Sequence, residues 1–145
     1  MVIIHVTREI PAPLDKVWSI ISNLDKEPSY WHEMKSIRNM ARMDTNIIQR
    51  EVTISYRNSK CRETVMLNPK HSIEVRITEG PLHGLKTIKL NSAEQDKTII
   101  DIFWNVKLVG LLEVFTLIVK RYIAKQTEKA LEGIVSAAEA DSFAC

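Results

Sequence analysis

The sequence predicts an α+β fold in which a curved antiparallel sheet wraps a long C-terminal helix, with two short helices after the first strand. Three observations predict it. The stretch from Gly110 to Ala140 holds no proline and one interior glycine, Gly133, so it reads as a single helix of about 45 Å at 1.5 Å per residue. Upstream, about six segments alternate apolar and polar residues with the two-residue period of half-buried strands. The turns between those segments are short, and short turns join antiparallel neighbours. A helix this apolar needs a sheet to lie on, and that pairing is the predicted architecture.

The chain opens with a strand, Val2 to Ile10, placing Val2, Ile4, Val6 and Ile10 on one face. Pro11-Ala12-Pro13 ends it. A helix from Leu14 to Leu24 follows, with Asp15 in its first turn, where the helix dipole favours an acid. Its buried stripe is Val17, Trp18, Ile20, Ile21 and Leu24. Asp25-Lys26-Glu27-Pro28 breaks this helix, and a second one, about Ser29 to Met34, carries Tyr30, Trp31 and His32.

The strands then run in order. Lys35 to Met43 comes first, and Asn46 to Arg57 second, with Ile48, Val52, Ile54 and Tyr56 aligned. Asn58-Ser59 reads as a two-residue hairpin turn. Cys61 to Leu67, His71 to Glu79, Leu85 to Asn91 and Lys97 to Leu108 complete the sheet. The fourth strand aligns Ile73, Val75 and Ile77. The last aligns Ile100, Ile102, Trp104, Val106 and Leu108. Between them, Gly80-Pro81-Leu82-His83-Gly84 is the most glycine-rich loop. On the terminal helix, Leu111, Phe115, Ile118 and Tyr122 stack along one line, beside Leu112, Val114 and Val119. After Ala124 the apolar line moves to Ile123, Ala130, Leu131, Ile134 and Ala138. Two stripes aimed differently imply two surfaces.

Composition narrows the classes. The 145 residues fit one domain, and 45% hydrophobic with 26% charged residues excludes a disordered chain. Lys and Arg total 20 against 18 Asp and Glu, scattered through the strands, so no nucleic-acid footprint is present. Cys61 and Cys145 have no metal or redox spacing. No basic start precedes an apolar core, so no secretory signal is read and a cytoplasmic location is expected. The run from Leu108 to Val119 contains Glu113 and falls short of the roughly 20 residues that span a bilayer.

Order and motifs resemble the START-like (SRPBCC) superfamily, whose helix-grip fold is shared with the birch-pollen-allergen proteins. Within it the chain is most similar to the polyketide cyclase/dehydrase family, which includes the coenzyme Q-binding proteins. The matching residues are Ile10-Pro11-Ala12-Pro13 running into Lys16-Val17-Trp18, the pair Tyr30-Trp31, Glu79-Gly80-Pro81-Leu82 with Leu85 behind it, and a last strand feeding directly into the terminal helix. The resemblance implies a hydrophobic cavity between sheet and helix. It names no ligand, and the superfamily hosts carriers, enzymes and protein-interaction modules.

The expected ligand-binding set is Trp31, Tyr56, Glu63, Val75, Trp104, Phe115, Ile118, Val119 and Tyr122, with Gly80 to Gly84 as the gate loop. Large aromatics also dominate ordinary cores, so each has a packing role as its plain alternative. Polar residues on apolar strand faces are more pointed. Glu63 shares parity with Cys61, Val65 and Leu67, and Arg50 with Ile48, Val52 and Ile54. A tight turn at Asn58-Ser59 places Ile54 opposite Glu63, Tyr56 diagonal to Glu63, and Arg50 opposite Leu67. Tyr56 and Glu63 are then the candidate acid/base pair, since a buried carboxyl beside a phenol can act as a general acid. The plain alternative is a bulge or rim that leaves Glu63 in water. His5, His32, His71 and His83 lack metal-ligand spacing, so no metal is expected, and with no P-loop and no dinucleotide fingerprint no cofactor is expected.

Three functions are open. One is a non-catalytic carrier or sensor of a lipid, isoprenoid quinone or polyketide-like molecule. The second is a cyclase or dehydratase using Tyr56 and Glu63. The third is a protein-interaction module, tested at the helix surface around Leu117; separately, the excess apolar surface of the terminal helix is a candidate for transient docking on a membrane surface or another subunit while ligand is exchanged. The first is the reading adopted from the sequence.

Overall fold

The computed structural model describes residues 1–143, with side chains through Ala140; Cys145 lies outside the described residues. The chain begins with β1 (Val2–Ile10), α1 (Leu14–Ile21), a 3-10 turn at Leu24–Lys26 and α2 (Glu27–Tyr30). Six strands follow: β2 (Met34–Asp44), β3 (Ile47–Ile54), β4 (Lys60–Asn68), β5 (Ser72–Glu79), β6 (Leu82–Ala93) and β7 (Lys97–Leu108). A 3-10 segment, Gly110–Phe115, leads into α3 (Thr116–Phe143).

All seven strands form one antiparallel sheet in the order β1-β7-β6-β5-β4-β3-β2. The six later strands are a simple meander, and β1 adds beside β7. The two edges are therefore β1 and β2, and α1 and α2 carry the chain from one edge to the other. The sheet curves around α3, as the resemblance implies. The strand alternation decides which face is inner: Val2, Ile4 and Ile10 of β1, and Ile100, Ile102, Trp104, Val106 and Leu108 of β7, are all buried.

The second stripe of α3 behaves as expected. Ile123, Ala130, Leu131, Ile134 and Ala138 are buried, and α3 packs chiefly on β1, α1 and α2. Each such large side chain contributes roughly 1.5–3 kcal/mol when taken fully out of water. Gly133 sets the approach of α2: a Cβ there would lie 3.1 Å from the Tyr30 ring.

Four expectations are corrected. First, the terminal helix does not begin at Gly110. Gly110 takes a left-handed turn (φ 67) and the next residues wind as 3-10 helix before α3 starts at Thr116. The first stripe does not lie on the sheet, because sheet and helix stay apart there: Leu111, Val114, Phe115, Leu117 and Ile118 are exposed. Second, α2 starts at Glu27 rather than Ser29. Pro28 sits in its first turn, where a missing N–H breaks no helical bond.

Third, β3 and β4 are not joined by a two-residue turn. Tyr56–Asn58 form a 3-10 turn in which Arg57 and Asn58 are left-handed (φ 52 for each). The Lys35 ammonium donates to the side-chain oxygen Oδ1 of Asn58 at 2.6 Å. The wider connection shifts the register by four residues, so Glu63 faces Arg50 instead of Ile54, Val52 faces Cys61, and Tyr56, now in the turn, is not the diagonal neighbour of Glu63 that the sequence predicted. An even shift leaves inward and outward faces unchanged. Fourth, the glycine-rich stretch is mostly strand. Only Gly80 and Pro81 lie between β5 and β6, and Leu82, His83 and Gly84 already pair with β7. Gly84 makes that pairing feasible: at φ +147, a Cβ would collide with the Asn105 carbonyl oxygen.

Candidate functional site

Where sheet and helix stay apart, a cavity of about 450 Å³ opens. That lies within the roughly 300–1,000 Å³ of small-molecule sites. Strands β3, β4, β5 and β6 supply one wall through Val52, Ile54, Cys61, Val75, Ile77 and Leu82. Leu112, Ile118, Val119, Tyr122 and Ile123 supply the other. Polar groups are few: Glu33, Arg50, Ser55, Tyr56, Glu63, Lys86 and Gln126 reach the same space.

Of the residues expected from sequence, Tyr56, Glu63, Val75, Trp104, Ile118, Val119 and Tyr122 line the cavity. Trp31 and Phe115 do not. Trp31 is buried one layer behind, its ring beneath Lys86. Phe115 sits on the 3-10 segment and is about half exposed. From the expected gate, Leu82 alone lines the cavity, and the others are held in or beside paired strand.

Arg50 organises the polar floor. It is 1% exposed, and its guanidinium makes a fork with Glu27, Nη1 to Oε1 at 2.6 Å and Nη2 to Oε2 at 3.3 Å. It also holds Glu63 Oε1 from Nε at 2.9 Å and Nη2 at 2.8 Å. Burial pulls the guanidinium pKa down, but the charges and hydrogen bonds of Glu27 and Glu63 outweigh it and hold it above its ordinary value. Burial pushes the Glu63 carboxyl above the usual glutamate range, and Arg50 and Lys86 only partly oppose it. The Cys61 thiol beside this group is pushed up to about 11 by burial, with the Glu63 charge adding to it.

Lys86 is the second buried cation. Its Nζ lies 3.3 Å from the centre of the Trp31 ring and 5.0 Å from that of Trp104. The two rings meet edge to face at 5.9 Å. Lys86 has no hydrogen-bond or ion-pair partner among the described residues. Burial lowers its pKa, against the pull of Glu27, Glu33 and Glu63. A desolvated contact between an ammonium and an aromatic face is worth about 2 kcal/mol, which compensates part of that burial. Glu33 lines the cavity, and its Oε2 is buried without a hydrogen-bond partner among the described residues. The Tyr122 phenol nearby is pushed up by burial and then by the Glu33 charge.

A bridge between β7 and α3 marks the inner end. The Trp104 indole N–H donates to Thr127 Oγ1 at 3.0 Å, and that hydroxyl donates to the Ile123 carbonyl at 2.8 Å. The Trp104 ring is thereby fixed as a wall. The cluster as a whole was only partly visible in the sequence. The Arg50–Glu63 pair was hidden by the turn. Lys86 shares parity with the buried Ile88 and Leu90, which is the signal that would have found it. Glu27 opens the short α2 and Glu33 follows it, and neither carries a pattern that marks it.

The cavity's sheet-and-helix frame is that of a known family. A family model described as polyketide cyclase/dehydrase and lipid transport matches residues 1–139. The chain belongs to this family. Among solved structures, this family member is similar to TTHA0849 from Thermus thermophilus, at 18% identity and a TM-score of 0.79, covering 97% of this chain and 99% of that one. It is also similar to the ZhuI aromatase/cyclase from Streptomyces sp. R1128, at 12% identity and a TM-score of 0.78, covering 94% and 93%. A START superfamily protein from Mycobacterium smegmatis matches at 20% identity and a TM-score of 0.69, covering 93% and 97%. No curated protein matches it in sequence. At these identities the structures share the helix-grip, START-like fold with this chain. Among the described residues, no helix is long and apolar enough to cross a membrane, and no three His, Cys, Asp or Glu side chains are grouped to hold a metal.

Proposed function

We propose that this family member binds and carries, or senses, a lipophilic small molecule in the cavity between its sheet and α3. The observation that supports this best is the cavity itself: about 450 Å³, walled by aliphatic side chains, with charged groups gathered on a floor built around Arg50. Such a site suits an amphiphile, with an apolar body along α3 and a polar end toward the floor. A lipid, an isoprenoid quinone and a polyketide-like molecule all meet that description. Native mass spectrometry of gently purified protein, repeated after denaturation, tests the reading. A discrete extra mass lost on denaturation is expected. Failure to retain or take up any apolar molecule would overturn it.

A second reading, a cyclase or dehydratase, is favoured by one observation. Tyr56 and Glu63 line the same cavity, and burial raises the Glu63 carboxyl above the usual glutamate range, the direction that favours a general acid. Given a polyketide-like substrate, Glu63→Gln and Tyr56→Phe are expected to lower turnover by about 10²-fold or more if they supply acid/base catalysis. Unchanged turnover in both removes this reading.

A further inference from the structure

Two groups that line the cavity leave hydrogen-bonding capacity unused, and they carry opposite charge. Lys86 Nζ, on β6, faces the Trp31 ring and has neither a hydrogen bond nor an ion pair among the described residues. Glu33, between α2 and β2, has a buried carboxylate oxygen, Oε2, with no hydrogen-bond partner among the described residues. The two interact electrostatically but do not touch, since they form no ion pair. A buried polar atom left without a partner is costly, and native structures rarely keep one without a reason. A ligand group placed between them, accepting from the ammonium and donating to the carboxylate, satisfies both at once.

The charges around the gap decide what that group is. Arg50 is already committed to Glu27 and Glu63. Those three with Lys86 sum to zero, and Glu33 adds one negative charge. An anionic head would gain Lys86 but face three carboxylates, with no further cation free on the floor. A cationic head would gain Glu33 but displace or repel Lys86. An uncharged head with one donor and one acceptor faces neither conflict.

Building on the carrier reading above, we propose that Lys86 and Glu33 form a clamp selecting a ligand whose polar end is neutral and both donates and accepts a hydrogen bond. An alcohol, a phenol, an enol or a primary amide on an apolar body fits this description. A fatty acid or a long-chain amine does not.

A series of ten-carbon probes tests it, competing with the uncharged fluorophore N-phenyl-1-naphthylamine on the full chain. Decanol is expected to displace the fluorophore at least about tenfold better than decanoic acid, decylamine or decyl methyl ether, the last of which keeps the acceptor and loses the donor; tenfold corresponds to one well-made hydrogen bond. Glu33→Gln restores decanoate binding toward that of decanol, and Lys86→Met lowers decanol binding while leaving the fluorophore's own binding in place. Equal displacement by all four probes, or a preference for the acid or the amine, overturns the clamp and leaves the cavity reading standing. Failure of the fluorophore and every probe to bind overturns the cavity reading instead. The wild-type series carries the test even if a variant does not fold.

Discussion

The space between the sheet and α3 has two ends that are built differently. At one end, Leu131 and Ile134 pack with Ile10, Val17 and Ile100 in a single apolar core, and all are buried. At the other end lie the cavity and a buried set of charges around Arg50. The filled end is held by dispersion and the removal of apolar surface from water, which needs no particular orientation. The hollow end cannot be held that way, because filling it would abolish the cavity. Its strands are tied down instead by a forked cation, which fixes α2, β3 and β4 relative to one another through Glu27, Arg50 and Glu63. A pocket can be kept open in a small protein if directional bonds replace packing around it.

Removing the fork should do most damage. Arg50→Met keeps bulk but leaves two carboxylates buried without their cation, and breaking such a pair costs about 3–5 kcal/mol. Urea denaturation measures it, and a loss under about 1 kcal/mol would mean the fork does not hold this end. At the filled end, Leu131→Ala removes a fully buried side chain and is expected to cost about 2–5 kcal/mol in the same assay. If the residue tolerates truncation, the two ends are not built differently after all.

Lys86 sharpens the comparison through pH. Its folded pKa lies below the ordinary value. Between that folded value and the unfolded value near about 10.4, the unfolded chain holds more protons, so stability rises with pH across the window. The stability of the wild type relative to Lys86→Met should therefore climb as pH approaches about 10. A flat difference would mean the ammonium is not held down by burial. The smallest effect is expected on the exposed face of α3. Leu117 is 72% exposed, so Leu117→Ser should change stability by no more than about 0.5 kcal/mol. A larger loss would place this residue in a packed contact.

These contrasts also explain what could be seen in the sequence. The alternation of Val2, Ile4 and Ile10, and of Ile100 through Leu108, marked the inner face without ambiguity, because period two survives any even register error. The second stripe of α3 was legible for the same kind of reason: Ala130, Leu131, Ile134 and Ala138 repeat at helical spacing and are buried. The first stripe has equally good spacing, yet much of it is exposed. Periodicity reports that a face is apolar, not whether anything covers it. The polar floor depended on a turn. Asn58 is a residue that favours the left-handed region and Arg57 is not, and an asparagine there suits a tight hairpin at Asn58-Ser59 as well as a 3-10 turn at Tyr56–Asn58, so the sequence did not distinguish the two. That one connection decided whether Glu63 met Ile54 or Arg50.

The placement of β1 has a consequence for how the molecule assembles. Val2 pairs with Val106 and Ile10 with Thr98, so a strand synthesised early meets its partner only after about a hundred further residues have left the ribosome. The meander from β2 to β7 can zip hairpin by hairpin through local contacts. Docking β1 closes a loop of that length, the kind of non-local step that slows folding. Until then the free edge of β7 stays unpaired, and the amino-terminal strand must wait with its apolar face open to solvent.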